Sequence, residues 1–367
     1  MYSQTDLDEA VAAGALSADA ANALRNFVDA QRQTPAVDEE QFRLLTGFND
    51  IFVAIASVIL LFAVGWIGQS IGQSMGLVFG DNGPSPLAPA AVAATAWALA
   101  LFFTAKRRMA LPSIILLLAF VGGVFVTSVL SIGVVVGAAF FESNERAMGV
   151  IIAVGAAIAA GAAYLHWRRF CVPITIAAGA AAVAGTAVGL LRASLGDIAN
   201  FQQILLGFVL LLGIGMFLFA MRWDSSDPAR VTRRSDVAFW LHLLAAPMIV
   251  HPVFTLLGLN DGTATIGEGL VVVALYVVLG VTALAIDRRA LLVSALAYVL
   301  YALSELFKQV GAVELNIALT ALVIGSALLL LSAFWHQARA AIVRPLPENL
   351  RARLPLVNER VSPVLAA

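Results

Sequence analysis

Apolar residues dominate the chain in long blocks, and short polar or charged stretches separate each block from the next. A membrane-spanning helix needs about 20 consecutive apolar residues, and the blocks have about this length. We therefore expect an all-α fold, a polytopic membrane bundle of about ten transmembrane helices. The predicted spans cover residues 50–70, 88–105, 110–130, 147–165, 172–191, 201–222, 236–258, 268–286, 290–309 and 313–335.

The third block is the one whose length does not fit a single crossing. Residues 111–141 carry no charge, and as one helix they would be about 46 Å long, against about 30 Å for the hydrocarbon core. We interpret residues 131–141 as an interfacial or re-entrant continuation, because an extra crossing would reverse the side of every later loop.

Basic residues support the count of ten and give an orientation. With ten spans, 19 of the 22 Lys and Arg residues fall on one side of the membrane, and only Arg146, Arg192 and Lys308 fall on the other. Cytoplasmic loops carry the excess of Lys and Arg. The pattern thus predicts that both termini are cytoplasmic.

The basic residues also recur in pairs at the start of the predicted hairpins, and small residues fill several spans. Arg pairs open the segments at residues 107, 168, 233 and 288, which either reflects an internal duplication or follows from cytoplasmic returns alone. Gly185 and Gly189 form a GxxxG pattern. Such residues allow close helix approach, either within the bundle or in a dimer.

Two polar segments flank the predicted bundle of five hairpins at residues 49–336. Residues 1–48 predict a cytoplasmic helical hairpin, with Gly14 ending a first helix and Ser17 capping a second that runs to about Gln33. So small a hairpin cannot bury a core alone, which predicts a protein partner, self-association or docking on the bundle. Residues 337–367 form a basic tail, interpreted as mostly extended and resting on anionic membrane lipid.

Composition excludes several classes of protein. The chain is 61% hydrophobic and 12% charged, whereas soluble domains are about 25% charged. A single cysteine excludes an internal disulfide. No HExxH, GxSxG or P-loop motif is present, which disfavours an enzyme, and nothing in the sequence indicates a cofactor, a metal site or nucleic acid as a partner.

Two stretches resemble a known family. The N-terminal pieces "LDEAVAAGALSADAANAL" and "FNDIFVAIASVILLFAVGWIG" place a helical hairpin before many spans. In this respect the first 70 or so residues resemble uncharacterised bacterial inner-membrane proteins of the domain-of-unknown-function 2157 type. The resemblance implies a polytopic fold and a location in a bacterial inner membrane, and it brings no catalytic residues.

Polar groups interrupt the seventh span. Asp236 lies at its start, and His242 and His251 follow about 9 and 22 Å further in. Pro247 and Pro252 each remove a backbone donor. Either the prolines kink the helix and both histidines bond to local carbonyls, or the helix is broken and lines a polar cavity. Nine residues apart, the histidines lie on opposite faces, so a shared metal site is not expected.

The ninth span carries a polar stripe. Ser294, Tyr298, Tyr301, Glu305 and Lys308 fall within an arc of about 80° on one helix face. Glu305 and Lys308 can pair at i and i+3. The stripe either faces the bundle interior, as intramembrane ionisable residues usually do, or only reaches the outer interface.

The two features predict one site. His251 and Glu305 are expected at similar depth in the outer half, with Glu268 and Glu314 starting the neighbouring spans. We interpret them as a polar vestibule for transport or binding of a small solute or lipid. The alternative function is that of a non-transporting scaffold or sensor acting through residues 1–48.

Overall fold

The structure is a computed structural model that describes residues 10–24, 48–228, 232–258, 266–309, 315–351 and 354–355. Within these ranges every regular element is a helix. Some side chains inside the helices, among them those of Ser294, Glu305 and Lys308, lie outside the description. The chain divides into two compact units, Met1–Thr46 and Gly47–Ala367.

The described part of the first unit contains the predicted helix–turn–helix. Residues 10–12 and 18–24 are helical. Gly14 lies between them with φ 71°, in the left-handed region that glycine tolerates best. The Ser17 hydroxyl accepts a hydrogen bond from the Ala20 amide at 3.1 Å, the bond of a helix N-cap. Both predicted roles are confirmed, whereas the predicted helix end near Gln33 lies outside the described residues.

The second unit is a series of helices, which we number from its start. They are α1 (Phe48–Ser74), α2 (Leu87–Phe103), α3 (Ala110–Val136), α4 (Ala138–Ser143), α5 (Glu145–Phe170), α6 (Ile174–Leu195), α7 (Phe201–Ser225), α8 (Arg233–Leu256), α9 (Ile266–Ile286), α10 (Ala290–Gln309), α11 (Asn316–Ala333), α12 (Trp335–Val343) and α13 (Glu348–Arg351).

Neighbours in sequence are mostly neighbours in space. α2 packs against α1 and α3, α3 against α5, and α5 against α6; α8 then packs against α6, α7 and α10, and α10 against α9 and α11. The turns α2–α3, α5–α6, α7–α8 and α9–α10 share one end of the bundle, which we call the inner end. Trp167 of α5, for example, packs on the same apolar cluster as Trp223 of α7.

The long apolar helices fit a polytopic membrane protein. Within the described residues, seven helices are long and apolar enough to cross a membrane, or eight if α11 and α12, bent by 73°, count as one span. α2 has 17 residues, and α10 contains undescribed side chains. The count of ten is therefore not established, although each predicted span overlaps one helix.

The long third block ends at a glycine. α3 continues to Val136, and Gly137 follows with φ 93° before the six-residue helix α4. Asn144 then caps α5 by accepting a hydrogen bond from the Ala147 amide at 3.0 Å. Residues 131–136 thus extend α3 instead of forming a separate segment, and 138–143 add one short helix with no further long crossing.

Small residues bring α5 and α6 into backbone contact. A Cβ atom built on Gly189 would lie 2.6 Å from the Ala153 nitrogen, and one on Gly149 would lie 2.4 Å from the Ala193 nitrogen. Real Cβ atoms do not approach that closely. The GxxxG pattern is therefore used at Gly189 for packing within the bundle.

α8 passes through both prolines without a break. The helix runs from Arg233 to Leu256 with Pro247 and Pro252 inside it, so of the two alternatives for this span the broken helix is not formed. Pro252 frees the carbonyl of Met248, and α7 packs there, because a Cβ on Gly213 would lie 2.9 Å from that carbonyl oxygen. Packing on neighbouring helices lets a membrane helix tolerate proline.

The tail is not mostly extended where it is described, which corrects the sequence prediction. After Trp335 the chain forms α12, in which Trp335, Arg339 and Val343 are buried. Arg339 donates a hydrogen bond to the Pro355 carbonyl at 2.6 Å. These three residues are spaced four apart, which gives α12 one buried face, and the basic composition of the tail did not indicate this face.

Candidate functional site

The predicted vestibule contains one hydrogen bond between two helices. His251 of α8 and Tyr298 of α10 share a bond of 2.6 Å between Nδ1 and the hydroxyl oxygen. His251 is exposed, and the Phe254 ring packs 4.7 Å from the Tyr298 ring beneath it. The structure therefore brings together two of the predicted site residues, from segments far apart in sequence.

The structure describes only some of the other side chains in the polar stripe of the ninth span. Tyr301 is 38% exposed on α10, one turn beyond Tyr298. The side chains of Ser294, Glu305 and Lys308 lie outside the description, as does all of Glu314. Glu305 lies seven residues beyond Tyr298, about 10 Å along the helix. His251 is thus level with Tyr298 and not with Glu305, because α8 and α10 begin at different heights.

A second polar group, not predicted, lies at the inner end. Asp224 of α7 accepts a hydrogen bond from His242 Nε2 of α8 at 2.9 Å. Arg288, in the α9–α10 turn, donates to both Asp224 carboxylate oxygens, at 2.5 and 3.3 Å. Arg288 also donates to the Ser235 carbonyl and hydroxyl oxygens at 3.1 and 3.2 Å. We call these four residues the inner network.

Burial makes the inner network energetically important. Asp224 and Arg288 are each 2% exposed and His242 is fully buried. Removing charges from water costs several kcal/mol per ion, which the mutual attraction offsets only with good geometry and further hydrogen bonds. Arg288 provides the geometry, because it contacts both carboxylate oxygens of Asp224. The bonds that involve His242 and Ser235 are the further hydrogen bonds. The network therefore fastens α7, α8 and the α9–α10 turn in one arrangement.

The neighbouring residue of the same turn reaches α12. Asp287 accepts a hydrogen bond from Trp335 Nε1 at 2.6 Å, and Arg339 Nε lies 3.8 Å from the same oxygen. Asp287 has φ 56°, so consecutive side chains of the turn diverge. Asp287 thereby holds α12 while Arg288 holds α7 and α8.

Both seventh-span histidines bond to side chains of neighbouring helices. His242 contacts Asp224 of α7, and His251 contacts Tyr298 of α10. The two lie on different faces of α8, as their spacing predicts. Asp236 is exposed in the first turn of α8, where a carboxylate is favourable beside the helix dipole.

A further histidine, His166, lies near the inner end of α5. It is fully buried, with Nδ1 3.2 Å from the Thr175 hydroxyl. The rings of Trp97, Phe120 and Phe170 surround it at 4.6 to 6.1 Å. Its neighbours fill the space around the ring, so it is a packing residue of α2, α3, α5 and α6.

The sequence contained a weak signal for the inner network. Asp224 and Asp287 each stand next to basic residues at a predicted inner helix end, in "MRWD" and "DRR". Membrane orientation alone accounts for the arginines in these stretches, so the sequence gives no separate reason to pair them with the two carboxylates. Among the described residues, no group of three or more His, Cys, Asp or Glu side chains could hold a metal ion.

The comparisons with known proteins give no relative. No family model matches the chain, and neither a curated protein nor a solved structure matches it. The resemblance to the domain-of-unknown-function 2157 type stays a prediction, and the function is argued from the geometry alone.

Proposed function

We propose that the protein binds a small polar solute between α8 and α10 and carries it across a bacterial inner membrane. The observation behind this proposal is the exposed His251–Tyr298 pair. His251 lies about 22 Å beyond Asp236 along a helix that starts at the inner end. Polar groups at membrane depth usually face protein or a water-filled cavity.

Neighbouring side chains extend this surface, which we call the outer groove. Thr255 follows His251 by one turn and donates a hydrogen bond to the His251 carbonyl at 2.9 Å. Tyr301 follows Tyr298 by one turn. Imidazole and hydroxyl groups both donate and accept hydrogen bonds, which suits a small polar solute better than an apolar one.

The inner network supports a transport function because it closes the opposite end of the same helix. α8 carries His242 in the network and His251 in the outer groove, about 13 Å apart along one continuous helix. A movement of its inner end is therefore transmitted to the outer groove. Solute release towards the inner side requires the contacts of Asp224 with His242 and Arg288 to open.

The orientation of the chain in the membrane is also part of the proposal. The excess of Lys and Arg at the inner end favours cytoplasmic termini. Reporter fusions at Ala367 and in the loop near Gly262 are expected to report opposite sides, with Ala367 in the cytoplasm. If both fusions report the same side of the membrane, the ten-span topology is contradicted.

Cysteine labelling tests whether the outer groove is wet. In a Cys171→Ser background, which removes the chain's single cysteine, His251→Cys and Thr255→Cys are exposed to a membrane-impermeant thiol reagent added outside. We expect rapid labelling of both. Val271→Cys is the matched control, because Val271 is exposed and apolar and lies five residues from the outer end of α9, as His251 does in α8. Equal rates at all three positions would contradict a groove.

Uptake tests transport directly. Proteoliposomes are given a pool of labelled amino acids, sugars and organic acids, and uptake by the unaltered protein is compared with that of His251→Ala and Tyr298→Phe. We expect a solute whose uptake falls at least tenfold in both variants and is unchanged in Val271→Ala. Absence of any uptake, or equal uptake by all four proteins, counts against the proposal.

A second function is favoured by one observation. Residues 1–46 form a compact unit of their own, which a scaffold or sensor would use to bind a partner. If a stable partner is recovered with the full chain and lost on deletion of residues 1–46, and no solute is taken up, this second function replaces the first.

A further inference from the structure

Five basic side chains are exposed in two neighbouring turns at the inner end. Lys106, Arg107 and Arg108 lie between α2 and α3, and Arg168 and Arg169 end α5. The two turns lie beside one apolar cluster, because Phe103 at the end of α2 and Phe170 at the end of α5 both pack against it. We call these five residues the inner basic surface.

Four of these five cations lie over aromatic rings and not against carboxylates. Lys106 and Arg107 lie 6.0 and 5.5 Å from the Phe102 ring centroid, and Arg169 lies 5.5 Å from that of Phe170. Arg168 stacks 5.8 Å from the Tyr164 ring and donates to its hydroxyl at 2.9 Å. Within the described part of the chain, none of the five is in an ion pair.

Exposed apolar side chains lie directly beside these cations on the helices. Phe102, Tyr164 and Leu165 are 43%, 58% and 60% exposed. They lie within about one turn of the basic residues, on the side of the membrane interior. The surface therefore has an apolar part at hydrocarbon depth and a cationic part at headgroup depth, the two chemistries of a phospholipid.

We propose that the inner basic surface is a binding site for anionic phospholipid, with the phosphate held by Arg107, Arg168 and their basic neighbours. Guanidinium groups match phosphate oxygens through paired N–H donors. Stacking on Phe102 and Tyr164 preorganises them without neutralising their charge. The acyl chains lie against the exposed rings of α2 and α5.

The occupant is lipid because the surface is positively charged and continuous with membrane-facing apolar side chains. A basic residue near an anionic leaflet contributes about 1 kcal/mol, which is about fivefold in affinity. Loss of two cations is thus expected to weaken binding roughly 25-fold. The site is independent of the outer groove, so the transport proposal can fail without affecting it.

The test measures lipid binding to the full chain in a neutral detergent by native mass spectrometry. Phosphatidylglycerol and phosphatidylcholine are titrated separately. We expect tighter binding of phosphatidylglycerol, weakened at least tenfold in the double variant Arg107→Gln/Arg168→Gln. Arg233→Gln/Arg234→Gln is the matched control, because these two arginines are also exposed at the inner end, and it is expected to change binding less than threefold.

Three results would overturn the proposal. They are equal binding of the two lipids, equal losses in both double variants, and loss of phosphatidylglycerol binding upon addition of inorganic phosphate at the same concentration, which would indicate a free-anion site. Arg168→Lys adds a check on folding, since it keeps the charge and is expected to retain most of the binding. Unchanged thermal stability of each variant in detergent confirms that the fold is retained.

Discussion

The inner ends of two regions of the bundle use the same amino acids in different ways. In the α1–α6 region, the arginines of the inner turns are exposed and stack on aromatic rings. In the α7–α12 region, Arg288 and Arg339 are buried against Asp224 and Asp287. Basic residues at the inner end thus either remain exposed or join helices together, and a nearby buried carboxylate decides which.

The two regions also differ in how their helices contact one another. α5 and α6 approach through glycines, so that backbone meets backbone at Gly149 and Gly189. α7, α8 and the α9–α10 turn are joined by the inner network in addition to apolar packing. We infer that close backbone packing is the main contact between α5 and α6, whereas α7, α8 and the α9–α10 turn depend in addition on the buried bonds of the inner network.

The largest effect is expected from separating the buried ion pair. Asp224→Asn leaves Arg288 buried without its anion, which costs about 3–5 kcal/mol. Arg288→Met is expected to cost a similar amount, and the double variant to recover much of the loss. The measurement is the free energy of unfolding in mixed detergent micelles. Additive losses would contradict direct coupling, and Arg168→Met in the other region is the control, with a small effect.

A smaller loss is expected at the contact between α12 and the α9–α10 turn. Trp335→Phe keeps an aromatic ring but removes the Nε1 donor to Asp287. A hydrogen bond to a charged group contributes about 1.5–3 kcal/mol, so unfolding in detergent is expected to become easier by about that amount. Trp66→Phe is the control, because Trp66 is 69% exposed. A loss no greater than that of the control would show that α12 is not held by this bond.

The third prediction concerns the close contact of the first region. Gly189→Leu introduces side-chain atoms where a Cβ alone would lie 2.6 Å from the Ala153 nitrogen. Overpacking typically costs about 1–3 kcal/mol, observed as a lower midpoint of thermal unfolding. Gly207→Leu is the matched control, because no atom lies within 4 Å of a Cβ there. Equal tolerance of leucine at both positions would disprove the contact.

The smallest effect is expected from the stacked cations. In neutral detergent, Arg107→Gln and Arg168→Gln should each lower the free energy of unfolding by less than about 1 kcal/mol, as exposed cation–π contacts contribute little. Comparing their losses of unfolding free energy with that of Arg288→Met tests the contrast between the two regions. A loss comparable to that of Arg288→Met would show that the stacked arginines stabilise the fold as much as a buried ion pair does.

Much of the local structure could be predicted from the sequence. Gly14 and Ser17 occupy the turn and cap that their residue types favour. The apolar blocks give helices close to the predicted spans, because the period and length of apolar residues are local properties. The continuity of α8 through Pro247 and Pro252 was not predictable, since it depends on α7 packing beside Met248.

The sequence by itself determined that the protein is helical, apolar enough for a membrane and divided by basic turns, because each of these follows from neighbouring residues. Only the tertiary structure decided which polar groups meet. Asp224 and Arg288 are 64 residues apart, and His251 and Tyr298 are 47 apart. Such pairs depend on the relative heights and rotations of packed helices, and small residues and close contacts between helices fix both.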